Sequence, residues 1–542
     1  MTYLLALIAA MATSMALIPL LVRLAPRIGM MDKPDSRKVH AVPIPRAGGI
    51  GIVLGALLPV LIWLPADELK SVYLFGALVL LVFGVWDDIR ELGHYTKFIG
   101  QLLAVLPVVY YGDLFVTHLP FMNDAVPEHI GKPFTVFALM GMINAINHSD
   151  GLDGLAGGMS LLSLGCIAYL AFLSNGDPVV LIALATIGGV FGFLRYNTHP
   201  ARVFMGDGGS QFLGFTLGFL MVYLIEKVDS ALSPALPALI LGLPIVDILA
   251  VFAQRIYHGM NWFRASRNHI HHRLLHMGFD HYEAVVIIYS VQIALVVSAV
   301  FLPYESDWLI LSIYLGVCAT VFVFLIMKER AHWRAHSARR VSRLSTVIGI
   351  IKKHELSKTL PVSLVAVGVS LLFVAVSLLA KDVPSDIAMA SAVMGLIFLI
   401  YLLLRKRHDG LVAQAVSYIA AAFVIYLETQ HMGPMTSAAD PMEFGYFATL
   451  ALIIGLMIRY GHRKSEFTTT PMDYLVIFIV LFAGYLLHNL PEKAYLGAMV
   501  VKLVIVFYGC ELIFLYARGR QYLFNWLVLL SLSAIALKGA IS

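Results

Sequence analysis

Long apolar stretches alternate with short polar connections along the whole chain. Eleven occupy roughly 3–22, 48–65, 71–86, 97–112, 134–148, 157–173, 177–194, 210–226, 233–254, 283–301 and 307–327. Seven more follow at roughly 362–380, 385–404, 411–428, 444–460, 472–488, 495–516 and 521–537. A helix of about 20 residues crosses the hydrocarbon layer. The pattern therefore predicts an all-α polytopic membrane bundle of about 18 transmembrane helices, eleven and then seven. Tyr3–Val22 lacks a cleavage-type end and reads as the first span, not as a removed signal.

The polar connections orient these spans. Arg23, Arg27, Lys33, Arg37, Lys38 and Arg46 crowd the first connection, and Arg255, Arg264, Arg267 and Arg273 lie after the ninth span. Residues 328–358 hold nine Lys and Arg against two acids. With eighteen spans all the basic connections fall on one side, which the positive-inside rule makes cytoplasmic, and both termini lie outside. The expected organisation is a membrane domain over 1–330, a basic linker over 331–360 and a second membrane domain over 361–542. In the linker Val341, Leu344, Val347, Ile348 and Ile351 recur at helical spacing between basic residues; an interfacial helix and a solvated linker both fit.

Composition agrees. The 542 residues are 60% hydrophobic and 13% charged, against about 25% charged in ordinary soluble domains. Cys166, Cys318 and Cys510 lie in apolar runs and form neither a disulfide framework nor a zinc spacing. A net charge of +5 suits an anionic bilayer face, and no basic soluble domain exists to bind nucleic acid.

Four polar clusters fall at the cytoplasmic ends of spans, where carboxylates usually mark ligand or ion paths. Asp87 and Asp88 follow the third span; neighbours on a helix point about 100° apart, which suits two roles better than one shared ion. Two solvated acids beside Arg90 are the plainer alternative. Asn144, Asn147, Asp150 and Asp153 follow the fifth span at spacings of three, a polar ridge running into a glycine-rich turn. Asn197, Phe204 and Asp207 follow the seventh span. In ARVFMGDGGSQFLG, Asp207 suits either a cap for a helix beginning near Ser210 or a metal ligand facing phosphates. Its company with the other clusters favours the ligand and leaves capping to Ser210. His269, His271, His272 and Arg273 follow the ninth span; phosphate contact through charge-assisted hydrogen bonds fits them better than zinc, which lacks a neighbouring acid or Cys. Hard oxygen ligands beside basic groups at a lipid surface point to Mg²⁺-assisted phosphoryl transfer. A transporter or flippase would instead place ionisable groups at mid-membrane in two related halves.

Through DKPDSRKVHAVPIPRAGGI, the DD after span three, NAINHSDGLDGLAGG, GFLRYNTHPARVFMGDGGSQFLG, PIVD and HIHHRL, residues 1–330 resemble the polyprenyl-phosphate N-acetylhexosamine-1-phosphate transferases. The resemblance implies a helical membrane bundle, often dimeric. It also implies transfer of a sugar 1-phosphate from a UDP-sugar to undecaprenyl phosphate, with release of UMP. Mg²⁺, with Mn²⁺ as a substitute, is the implied cofactor, and the bacterial inner membrane the implied location. By position, Asp207 and Asn147 resemble metal ligands, and Asp87 and Asp88 the pair serving the lipid phosphate and the metal site. Asp150, Asp153, Asn197 and Phe204 resemble the nucleotide pocket, Phe204 stacking on uracil. The His269–His272 run with Arg273 resembles the loop over the sugar phosphate. Its HxHH form, where the phospho-MurNAc-pentapeptide branch has three consecutive His, implies GlcNAc or a related amino sugar. The resemblance does not reach the seven later spans.

Overall fold

In the computed structural model, which describes residues 2–32, 42–122, 124–257, 259, 269–331, 333–335, 356–380, 382–404, 411–431, 441–460, 471–488, 494–516 and 521–541, the apolar stretches are helices. The first half runs α1 (Thr2–Ile28), α2 (Gly48–Trp63), α3 (Glu68–Arg90), α4 (His94–Tyr110), α5 (Glu128–Ser149), α6 (Leu155–Leu173) and α7 (Asp177–Asn197). It continues with α8 (Gly206–Tyr223), extended by a π turn to Val228, then α9 (Pro237–Tyr257), the short α10 (Ile270–His276), α11 (His281–Phe301) and α12 (Asp307–Arg330). The second half carries α13 (Leu356–Leu379), α14 (Ser385–Leu404), α15 (Leu411–His431), α16 (Pro441–Tyr460), α17 (Pro471–His488), α18 (Ala494–Tyr516) and α19 (Gln521–Ile541). A two-residue antiparallel ribbon, β1 (Met31–Asp32) with β2 (Ile44–Pro45), is the described sheet.

The protein is thus an all-α polytopic membrane protein. Helices occupy all eighteen stretches expected from the sequence, with α10 in addition. Among the described residues thirteen are long and apolar enough to cross a membrane, and α2 and α16 are shorter apolar helices. The α5 helix loses apolarity to Glu128, Lys132, Asn144, Asn147 and His148. The suggested interfacial helix around Val341–Ile351 lies outside the described residues.

Contacts divide the chain into two compact units, Met1–Ala338 with Thr470–Met472, and Arg339–Thr469 with Asp473–Ser542. In the first, α8 is the core helix: its whole apolar window is buried, whereas α12 buries 17% of its window and turns the rest outward. Glycine allows that burial. A Cβ on Gly84 of α3 would stand 2.3 Å from the Gly208 Cα, so α3 and α8 touch backbone to backbone just where Asp87 and Asp88 emerge. Local signals set the ends: Asp67 accepts the Lys70 N–H at 2.6 Å to start α3, and Asp280 with Glu283 forms a capping box on α11. In the second unit, α15 has 83% of its window buried, and it packs on α13, α14, α18 and α19.

Candidate active site

The α8 helix begins at Gly206, one turn before the Ser210 start expected from the sequence. Neither Asp207 nor Ser210 caps it: Ser210 donates its hydroxyl to the Gly206 carbonyl at 3.0 Å, a bond within the helix. The cap comes from another helix. Asp88 accepts the Asp207 N–H at 3.1 Å and the Gly208 N–H at 3.3 Å, satisfying two of the free amides at the α8 start. Gly206 has φ +71°, and a Cβ there would meet the Asp88 carboxylate at 2.5 Å, so only glycine fits this junction.

With its backbone held by Asp88, Asp207 turns its side chain to other partners. Lys97 of α4 places its ammonium 2.7 Å from Asp87 and 2.8 Å from Asp207. Asn147, near the end of α5, donates to Asp207 at 3.2 Å and to Ser210 at 2.8 Å. Gln211 also reaches Asp207, at 3.3 Å, and Gln101 ties Gln211 to Asn144. Asp87 takes its second hydrogen bond from the Leu92 N–H at 2.6 Å. Oxygens of Asp87 and Asp207 therefore converge on one cation, here the lysine ammonium, with the Asn147 amide alongside. Such a set of hard oxygens fits a divalent ion.

Asp150 caps the end of α5. Burial first, then the charges of Asp207 and Asp153, push its carboxyl up from 3.8 to about 7. Beyond it, Asp153 accepts from His199 at 2.6 Å and from the Ala201 N–H at 3.1 Å, and His281 stacks on His199. Among the described residues Asp153, His199 and His281 are the one trio of His, Cys, Asp or Glu whose ligand atoms lie within 4.8 Å of one another; the His269–His272 run forms none. Asn197 is buried and bridges two loops, taking the Gly154 N–H at 2.8 Å and giving to the Val203 carbonyl at 2.9 Å. Phe204 is half-buried, fixed by backbone bonds to Pro45 and Gly48.

The histidine segment is anchored from α9. Asp247 accepts His269 Nδ1 at 2.8 Å and the Ile270 N–H at 2.9 Å, all three residues buried. These bonds fix the His269 tautomer and start α10. His271 packs onto the Gly151 backbone, where a Cβ would lie 2.2 Å from Nε2. Burial first, then His272 and His269, holds this imidazole well below its ordinary range. Desolvation thus disfavours the imidazolium form of His271. Arg273 has its own anchor. Its guanidinium forks onto Glu329 of α12 with two 2.8 Å bonds.

Sequence reading missed Lys97, Gln101, Gln211, His199 and His281, and passed over Asp247 although it lies in PIVD. The last had a signal, an acid within an apolar helix. The others were ordinary polar residues, Lys97, His199 and His281 near helix ends and Gln101 and Gln211 within helices.

Residues 71–225 match the family described as glycosyl transferase family 4. The chain is 35% identical over 330 residues, 60% of its length and 89% of the relative's, to a probable undecaprenyl-phosphate N-acetylglucosaminyl 1-phosphate transferase of Bacillus subtilis (strain 168). It is 28% identical over 333 residues, 59% of its length and 89% of the relative's, to the undecaprenyl-phosphate alpha-N-acetylglucosaminyl 1-phosphate transferase of Escherichia coli (strain K12). The Haemophilus influenzae protein of the same name is also 28% identical, over 59% of this chain and 94% of its own. Identity spanning nearly the whole length of these relatives, over a bundle whose polar ends meet around Asp207, places the chain in its family: it belongs to the polyprenyl-phosphate N-acetylhexosamine-1-phosphate transferases of glycosyl transferase family 4.

Proposed function

We propose that the protein transfers N-acetylhexosamine 1-phosphate, GlcNAc-1-phosphate or that of a related amino sugar, from a UDP-sugar to undecaprenyl phosphate. A lipid phosphate oxygen bonds to the β-phosphorus of the UDP-sugar, the bridge to the α-phosphate breaks, and UMP leaves. The observation that carries this reading is the convergence of Asp87 and Asp207 on one cation beside Asn147.

Asp207, Asn147 and Asp87 would hold Mg²⁺, or Mn²⁺ in its place. When bound, the ion offsets pyrophosphate charge. The two acids of the DD pair divide their work. Asp88 spends both oxygens on α8 amides and fixes the Asp207 backbone. Asp87 gives one oxygen to the Leu92 N–H and the other to the cation position, where it would face the lipid phosphate beside the metal. Asp150, Asp153, Asn197 and Phe204 form the nucleotide side, Phe204 offering its ring to uracil. His269 and His272 face the sugar phosphate, His271 seats the segment on Gly151, and Arg273 anchors it to α12 through Glu329.

We assign residues 1–330 to this reaction, 331–360 to a basic linker, and 361–542 to a separate membrane domain. We further propose that it works in the bacterial inner membrane with its active site cytoplasmic and its termini outside, as a homodimer at the start of a lipid-linked envelope glycan. UMP release from UDP-GlcNAc, UDP-GalNAc and UDP-MurNAc-pentapeptide, with undecaprenyl phosphate and Mg²⁺, tests the reading. Release is expected from a HexNAc donor and lost in Asp207→Ala. No UMP from any HexNAc donor, or full activity in the folded variant, refutes it.

A further inference from the structure

The second unit contains a charged centre that the transfer reaction does not use. Lys502, in α18, gives both oxygens of Glu428, in α15, hydrogen bonds of 2.9 and 2.8 Å, and its third contact is to Glu443 Oε1, in the first turn of α16. The ammonium also stands over the Phe447 ring, 5.3 Å from its centroid. The three charged side chains are only 9 to 14% exposed.

The charges do not balance. Two carboxylates face one ammonium, and the three protons of that ammonium are spent. Glu443 Oε2 is buried, with no hydrogen-bond partner among the described residues. A buried, unpaired acceptor carrying net negative charge between apolar helices is strongly disfavoured.

No neighbouring helix supplies the missing positive charge from its described side chains. Residues 362–379 of α13 contain no ionisable group, and Tyr446 of α16 donates to the Gly368 carbonyl. In α14, Asp386 accepts from the Ile387 N–H. In α19, Lys538 donates to the Leu378 and Ala380 carbonyls. Further along α15 and α18, Gln414 and Tyr418 bond Glu511, and Tyr508 bonds Asp473 of α17.

We infer that Glu428, Glu443 and Lys502 form a binding site for one monovalent cation, a proton or an alkali ion, taken up at Glu443 Oε2. A proton makes that oxygen a hydroxyl and leaves the trio neutral. An alkali ion does the same by coordination. Buried carboxylates of this kind at the ends of apolar helices mark ion sites, so the second unit carries a chemistry separate from sugar-phosphate transfer.

The test uses the full chain in lipid nanodiscs. Infrared difference spectra are recorded as pH is stepped from about 9 to 5 in choline buffer, and thermal midpoints are measured with NaCl, KCl or choline chloride. A carboxyl stretch that appears as pH falls identifies the proton; a midpoint raised by Na⁺ or K⁺ over choline identifies the alkali ion. Glu443→Gln and Glu428→Gln each balance the charge, so both variants lose the signal, and either one that folds decides the matter. Lys502→Met leaves two facing carboxylates and moves the response at least tenfold toward tighter cation binding. The inference is overturned if wild type matches the folded Gln variants at every pH and salt.

Discussion

Lys97 is the residue whose replacement tests the reading of the site most directly. Its ammonium lies 2.7 Å from Asp87 and 2.8 Å from Asp207, where the two acids best share a cation. At an effective dielectric constant near 20, each contact is a Coulomb attraction of about 6 kcal/mol before desolvation is counted. Breaking a buried ion pair costs about 3–5 kcal/mol net. The Lys97 side chain is 29% exposed, so solvent screening brings that to about 2–3 kcal/mol. In Lys97→Met that repulsion between the carboxylates is relieved by any cation that binds them. Mg²⁺ should therefore bind the resting protein about 30- to 150-fold more tightly, at 1.36 kcal/mol per factor of ten. The assay is the thermal midpoint against MgCl₂ concentration for both proteins in one detergent, without substrate. A half-saturation point that stays put, or moves to higher Mg²⁺, would falsify the claim that Lys97 holds the cation position.

Three further outcomes follow from neighbouring geometry. In Asp150→Asn the pH dependence of stability flattens. A carboxyl raised from 3.8 to about 7 gives stability that is full below its ordinary value and lost as pH rises through 7, at most about 4 kcal/mol. Melting curves from pH 4 to 8 that run parallel in both proteins would count against this. Gly151→Ala drives a Cβ to 2.2 Å from His271 Nε2, so UMP release should fall at least tenfold in a folded protein; unchanged release would separate the histidine segment from the chemistry. Asp247→Ala strands the His269 ring and the Ile270 N–H, a loss of about 2–3 kcal/mol. Turnover should fall more than in Asp247→Asn, which retains an acceptor for Ile270, and equal rates in the two variants would show that the anchor is dispensable.

The helices were legible because their cause is local. Apolar runs of membrane length must satisfy their own backbone, so the pattern of α6, α7 and α8 could be read residue by residue. The clusters at the span ends were legible for a related reason, since Asp87, Asp150 and Asp207 are conspicuous in apolar surroundings. Lys97 was not. A lysine in the first turn of a helix near a bilayer face reads as a side chain reaching for water. Its meaning depends on Asp207, 110 residues away, and on α3 and α4 forming a hairpin that turns it inward. His199 and His281 likewise acquire a common purpose only when Asp153 stands between the two segments that carry them.

The start of α8 shows how the local and distant causes interlock. Asp207 and Ser210 had the right chemistry for a cap, and sequence spacing offers no way to see a competitor from another helix. Asp88 wins because Gly84 and Gly208 let α3 lie against the α8 terminus, and Gly206 clears the space its carboxylate needs. Two free amides are then satisfied from outside, and Asp207 is relieved of capping its own helix. Adjacent side chains on α3 diverge by about 100°, so the same geometry that points Asp88 at the amides points Asp87 at Lys97 and the Asp207 carboxylate. Asp88→Ala should consequently disable Asp207 without touching it, and the glycines of this junction matter to the site as much as its acids do.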